Sequence, residues 1–151
     1  MDYQSIETAK TAIITILSND VTLNAVVPDN QIYNTDWAFR TANLFPGISV
    51  EANRRLAGSF STGIKELIIE FKIRCYSEQF EVSESIAQAT MITNRVAEVL
   101  EKAANVTLNN TVTDTEIMEI NYNAERAGGS VKSVSWMCEI TFNVQIFVTR
   151  G

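Results

Sequence analysis

Residues 133–149 read SVSWMCEITFNVQIFVT, and this stretch decides the fold class. Apolar side chains occupy every second position from Val134 to Val148, and the alternate positions are polar except at Met137 and Phe147. A period of two is typical of a strand with one buried face. We therefore predict a long C-terminal β-strand.

The length of this strand poses a geometric problem. Seventeen residues extend to roughly 55 Å at about 3.3 Å per residue, whereas a compact chain of 151 residues is roughly 40 Å across. The strand must bend at a β-bulge, project from the body, or pair in part with a neighbouring subunit. Within the chain, the alternating segment ELIIEFKIRCYSE offers a partner, predicted as a strand over residues 66–76.

Two amphipathic segments predict the main helices. The first runs over residues 5–20 with Ser5 as its cap, and Asp20 then caps a further short turn. The second runs over residues 83–104, with Ser85 and Gln88 placed for a capping box.

The remaining elements predict strands and a turn. Alternation predicts strands at residues 48–53 and 115–124, the latter with Met118, Ile120 and Tyr122 on one face. Together these elements predict a single α+β domain over residues 1–151. Its core is a mostly antiparallel sheet with a long C-terminal hairpin, backed by the two main helices.

Composition excludes several classes of function. At 46% hydrophobic residues the chain is not intrinsically disordered, and its formal charge of −6 disfavours general binding to duplex DNA. There is no histidine for catalysis or metal binding. Cys75 and Cys138 fall at inward-facing positions and are interpreted as buried thiols, although a disulfide between them stays open. We expect no signal peptide, no membrane span and a reducing cytosolic environment.

A search for catalytic motifs finds none. The segment GSFSTGIK at residues 58–65 superficially resembles a phosphate-binding loop, but it lacks the G-K-[ST] ending and precedes a strand. The pairs Glu66/Glu70 and Glu116/Glu119 are predicted to lie on solvated strand faces or ends. The sequence therefore predicts no enzyme, no metal site and no cofactor.

Two basic loops and one aromatic loop are the candidate contact sites on an otherwise acidic chain. A loop over residues 53–65 and a turn over residues 125–132 each carry basic residues, and a further irregular segment carries aromatic ones. The candidate interaction residues are Arg54, Arg55, Lys65, Trp37, Phe39, Arg126 and Lys132.

The order of these elements resembles the tail-terminator and tail-completion proteins of long-tailed bacteriophages. The resemblance covers most of the chain and lies in the order of the elements and their pattern of hydrophobic residues rather than in a catalytic motif. The segments that carry it are SNDVTL at 18–23, Ile32 and Tyr33, PGISV at 46–50, ELIIEFKIRCYSE at 66–78, NRVAEVLEKA at 94–103 and ITFNVQIFV at 140–148.

This resemblance implies a structural part of a virion, assembled in the host cytoplasm. Subunits of that family form a hexameric ring that caps the tail tube protein and meets the head–tail connector protein. DNA passes through the lumen without specific binding, and no membrane or cofactor is involved. The alternatives are another tail or connector component, such as a tube or baseplate subunit, and a small hot-dog-like ligand-binding domain or thioesterase.

Overall fold

The computed structural model describes residues 2–34, 45–56, 60–61, 63–125 and 134–149. The helices within these ranges are α1 (Asp2–Ser18), α2 (Val21–Asn24) and α3 (Val82–Leu100). Short 3-10 turns occupy Asp29–Gln31 and Ala103–Asn105. The strands are β1 (Ile32–Tyr33), β2 (Gly47–Leu56), β3 (Phe60–Ser61), β4 (Ile64–Gln79), β5 (Asp114–Glu125) and β6 (Val134–Thr149).

The strands form one sheet in the order β1-β2-β4-β6-β5, and β3 pairs with β4 off this path. β1 runs parallel to β2, and every other pairing is antiparallel. This arrangement confirms the predicted α+β class, with its mostly antiparallel sheet, its C-terminal β5–β6 pair and its two long helices.

β4 and β6 pair along their whole lengths. Their register runs from Ile64 opposite Thr149 to Gln79 opposite Val134, with no register shift. The partner strand therefore extends beyond residues 66–76 at both ends, and β6 has no bulge against it. The register shifts lie instead in the neighbouring strands, between Ala52 and Arg54 of β2 and at two points of β5.

One face of the sheet carries the hydrophobic core. α1 packs against β2, while α3 packs against β4 and β6. The aromatic rings of Phe71 and Phe142 are directly opposite each other in the β4–β6 ladder, and both are fully buried. Burial of one such side chain stabilises the fold by about 1.5–3 kcal/mol. None of the described helices is both long enough and apolar enough to cross a membrane.

The predicted helix caps were wrong at two of three positions. Ser5 lies inside α1, which already includes Asp2. α3 begins at Val82, and Ser85 lies within its first turns, where its hydroxyl accepts a hydrogen bond from the backbone N–H of Gln79 at 3.0 Å. Ser85 thus fastens the end of β4 to α3 instead of capping the helix. The cap at Asp20 is confirmed, since its carboxylate accepts from the N–H of Leu23 at 2.8 Å.

The predicted loop over residues 53–65 is largely strand. Arg54 and Arg55 lie in β2, because the β2–β4 ladder continues to Leu56 opposite Ile68. Lys65 lies in β4, opposite Phe60 of β3. Residues 57–59 and 62, and residues 126–133 of the other predicted loop, lie outside the described ranges.

A bulge changes which side chains of β5 share a face. Ile117 pairs with Phe142 and Ile120 pairs with Ile140, so both belong to the row of core positions. The register shift between Ile117 and Glu119 places Met118 in the bulge, where it is 53% exposed. The predicted common face was therefore wrong for Met118, whereas Ile120 and Tyr122 both lie on the helix side, where the Tyr122 hydroxyl donates to Asn94 of α3.

The two cysteines are free thiols buried opposite each other in the β4–β6 ladder. Burial raises the pKa of the Cys75 thiol to about 12, and it also raises the pKa of the Cys138 thiol. Both groups therefore act as small apolar side chains, as predicted, and both are protonated at neutral pH.

Asp20 joins α2 to α3. Its carboxylate caps α2 and receives two hydrogen bonds from Arg95 of α3, from Nε at 2.9 Å and from Nη2 at 2.8 Å. The hydrogen bond from Arg95 is the largest cause of the lowered pKa of Asp20. The Asp20 carboxylate thus accepts a hydrogen bond from a backbone N–H at the start of α2 and also binds Arg95 of α3.

Asp20→Ala is expected to lower the free energy of unfolding by about 1–2 kcal/mol, because it removes both the cap and the bidentate contact. Asp20→Asn keeps the cap acceptor, so it should cost less. Glu98→Gln serves as the control: Glu98 also pairs with Arg95 but is 66% exposed, so its loss should cost no more than about 0.5 kcal/mol. Urea unfolding measures all three variants, and equal effects of Asp20→Ala and Glu98→Gln would contradict this account.

Candidate interaction surface

The sheet face that points away from α1 and α3, called the outer face below, is polar. It consists of the side chains that alternate with the core positions of β2, β4 and β6. Its members are Glu51, Arg54, Glu66, Ile68, Glu70, Lys72, Arg74, Tyr76, Met137, Glu139, Thr141, Asn143, Gln145 and Phe147.

Arg74 stands at the centre of an ionic network that crosses three strands. Its Nη1 lies 2.7 Å from Glu51 Oε1 on β2, and its Nε lies 3.0 Å from Glu139 Oε2 on β6. Lys72 extends the network, with Nζ 3.3 Å from Glu139 Oε1 and 2.8 Å from Thr141 Oγ1. The four charged side chains are each about one fifth to one quarter exposed.

The electrostatics of Arg74 reflect two opposing influences. Partial burial by itself lowers the pKa of the guanidinium, but the hydrogen bonds to Glu51 and Glu139 outweigh it and raise the pKa above its ordinary value. Breaking one side of such a partly buried network leaves an uncompensated charge, which costs more than the intact pair contributes. The network therefore fixes how β2, β4 and β6 align.

A second polar group lies nearer the end of β2. Glu70 accepts hydrogen bonds from Asn53 Nδ2 at 2.7 Å and Arg54 Nε at 2.9 Å, with Arg54 Nη2 at 3.5 Å. Glu70 is only 6% exposed, so its predicted place on a solvated face was wrong. The bulge between Ala52 and Arg54 brings both donors over the carboxylate. Arg54 itself remains 65% exposed.

Apolar side chains flank the ionic network along the strands. Towards one end, Tyr33, Tyr76 and Met137 form a small buried cluster with Phe45 packed against it. Towards the other end, Ile64 and Phe147 are each about half exposed. The outer face thus combines paired charges with two half-exposed apolar side chains, Ile64 and Phe147.

The predicted interaction residues do not form one patch. Arg54 pairs with Glu70 on the outer face, whereas Arg55 pairs with Ile69 and so belongs to the helix-covered face. Lys65 lies four residues before Ile69 on β4, on the same face as Arg55. The remaining candidates, Trp37, Phe39, Arg126 and Lys132, lie outside the described ranges.

The residues of the ionic network were missed as functional candidates. The alternation within β4 places Lys72 and Arg74 on one face. Their pairing with Glu51 and Glu139 depends on register between strands far apart in sequence, which the alternation within each strand does not encode.

The surface depressions in the described parts of the chain are shallow. One of about 190 Å³ lies on the outer face between Ile68, Asn143 and Gln145 and the residues of β5 at 114–116 and 118. Among the described residues, no group of three or more Cys, Asp or Glu side chains is placed to hold a metal ion. What the outer face offers chemically is a pattern of charges for recognition.

Comparison with known proteins identifies the fold. No protein-family model matches the chain, and no curated protein matches it. Among solved structures, a chain in the virion of a native gene transfer agent (GTA) particle matches with a TM-score of 0.62. The identity is 15%, and the match covers 92% of this chain and 94% of that chain. The two chains therefore share a fold over nearly their whole lengths.

Glu70 is expected to make stability depend on pH. The hydrogen bond from Asn53, aided by Arg54 and opposed by burial, holds the pKa of the carboxyl below its ordinary value of 4.5. A carboxyl of this kind stabilises the fold above its unfolded pKa, and the contribution is lost as the pH falls through the folded-state value. The stability difference between wild type and Glu70→Gln should therefore be larger at pH 7 than at about pH 3.

Urea unfolding at several pH values measures this difference. Glu66→Gln, on the same strand and face, provides the matched control, since Glu66 accepts only from Gln145 at 3.1 Å among the side-chain contacts described. A difference for Glu70→Gln that stays constant between pH 7 and pH 3 would contradict the assignment.

Proposed function

We propose that this chain is a structural subunit of a phage-like particle and assembles with the other structural proteins of the virion. The observation that carries the proposal is the fold shared, nearly end to end, with a chain of a gene transfer agent virion. Because fold alone does not determine function, the proposal also draws on the charge and surface of this chain. The paired charges of the outer face and the half-exposed side chains of Ile64 and Phe147 suit contact with other subunits.

Within the particle, we propose a place in the tail or neck. The subunit forms a closed hexameric ring that caps the tail tube and joins it to the head–tail connector, as the sequence resemblance implies. Closed rings arise when a head-to-tail interface repeats around a rotation axis. A sheet with two different edges can supply such an interface.

The acidic charge supports a ring around a DNA passage. With a formal charge of −6 per chain, six copies carry roughly −36. A lumen of this sign repels the phosphate backbone, so DNA passes without being held. The candidate interaction residues for assembly remain Arg54, Arg55 and Lys65, together with Trp37, Phe39, Arg126 and Lys132.

Electron microscopy and native mass spectrometry of the purified full chain test the ring. We expect one closed species with a central hole and a mass of about six chains of 16.8 kDa. Open filaments would instead favour the alternative of a tube subunit. A chain that stays monomeric at high micromolar concentration, alone and with the tail tube protein added, would contradict the proposal.

A further inference from the structure

Two strand edges of the sheet are unpaired within the described residues. β6 is the only described strand that pairs with β5, so the far edge of β5 is open. On the opposite side, β1 pairs with β2 only at Ile48 and Ser49, and no other described strand pairs with that edge of β2. Unpaired edges present rows of backbone N–H and C=O groups and favour the addition of another strand.

The two edges differ in charge. Asp114, Glu116 and Glu119 of β5 are exposed and lie opposite the outer-face residues Gln145, Asn143 and Thr141 of β6. These acids occupy three consecutive positions of the outer face, because Met118 lies in the bulge. On the β2 edge, the outer face carries Arg54, which is 65% exposed beside Glu70, and Glu51, which is paired with Arg74.

We propose that a second copy of this chain docks head to tail, with residues 114–119 of the β5 edge of one subunit pairing with residues 51–56 of the β2 edge of the next, beyond the part that β1 covers. This inference rests on the ring of the proposed function and specifies the surfaces that close it. Charge complementarity between Arg54 and the acidic series favours this pairing over the two-fold pairing of two β5 edges, in which acid would face acid.

The register within one chain supports the pairing. Arg54 pairs with Glu70, Glu70 pairs with Asn143, and Asn143 pairs with Glu116, so one cross-strand row links the two edges. If the sheet continues into the next subunit without stagger, Arg54 of that subunit lies opposite Glu116. A stagger of two ladder pairs in either direction, which keeps the same face, brings it opposite Asp114 or Glu119, so the charge match survives the tilt of strands in a closed ring.

Strand direction supports it as well. β2, β4, β6 and β5 alternate in direction, so β2 runs opposite to β5. Joining β5 to the β2 of a second copy continues the antiparallel pattern. Without stagger, Glu119 lies opposite Glu51, but that carboxylate is already paired with Arg74 at 2.7 Å.

Arg54 can serve both subunits at once. Its Nε and Nη2 face Glu70, while the side chain is 65% exposed and a guanidinium has five N–H donors. Arg74 already makes this kind of bridge within the chain, since it binds Glu139 on one neighbouring strand and Glu51 on the other.

Complementation between charge-reversed variants tests the pairing. Arg54→Glu gives a chain with two acidic edges, and Glu116→Arg introduces a base into the acidic edge. Each variant alone should need at least about tenfold higher concentration to assemble than wild type. An equal mixture should regain assembly, because each variant then finds the opposite charge on its neighbour. Glu84→Arg and Lys102→Glu, exposed residues at the two ends of α3, provide the charge-matched controls.

Three outcomes decide the inference. Recovery in the mixture but not in either variant alone supports it. Single variants that assemble like wild type overturn it and leave the ring proposal standing. Failure of the wild-type chain to assemble overturns both.

A disulfide test covers the case in which Arg54→Glu destabilises the fold beside Glu70. In one chain, residues 54 and 116 are three strands apart, about 14 Å, which is too far for a disulfide. Under mild oxidation, Arg54→Cys combined with Asp114→Cys, Glu116→Cys or Glu119→Cys can therefore cross-link only between subunits. We expect a covalent ladder of oligomers from at least one pair and none from Arg54→Cys alone. An absence of cross-links from all three pairs, in protein that assembles, overturns the inference.

Discussion

The pairing of β4 with β6 is the constraint on which the rest of the structure depends. Both faces of this ladder demand the same register. On the helix side, Phe71 meets Phe142 in the core, and on the outer side Arg74 meets Glu139. A slip of one residue would bury the charges and expose the aromatic rings, so neither face tolerates it. The helices, β2 and β5 pack against this strand pair, whose register is fixed by both of its faces.

The sequence predicted the elements well because their signals are local. The period of two in residues 133–149 and the helical stripe of α3 identify strand and helix without reference to the rest of the chain. Features that depend on how two strands pair were not predicted. The burial of Glu70 requires a bulge in β2, and the exposure of Met118 requires a bulge in β5. Such bulges are properties of a pairing, and the alternation within one strand does not reveal them.

In the candidate site, too, the sequence identified individual residues but not the contacts that depend on strand pairing. Arg54 and Arg55 were singled out as basic residues of a loop, but both lie in β2, where consecutive side chains point to opposite faces. Only the cross-strand register separates Arg54, held by Glu70 on the outer face, from Arg55 on the other face. Likewise, the sequence shows the charged residues around Arg74 but does not show which of them are in contact. Trp37, Phe39, Arg126 and Lys132 remain predictions.

The acidic composition acquires a physical role in this account. In the proposed ring, negative charge distributed over the subunits repels DNA in the lumen, while Arg54 at the β2 edge makes the proposed contact with the next subunit. The central claim is that assembly proceeds through the sheet edges, and hydrogen exchange of the assembled protein against its dissociated form tests it most directly. Backbone amides in residues 50–56 and 114–120 should exchange more slowly after assembly, while amides of β4 and β6 should change little. Protection that appears only on α1 and α3, with both edges unchanged, would contradict the claim.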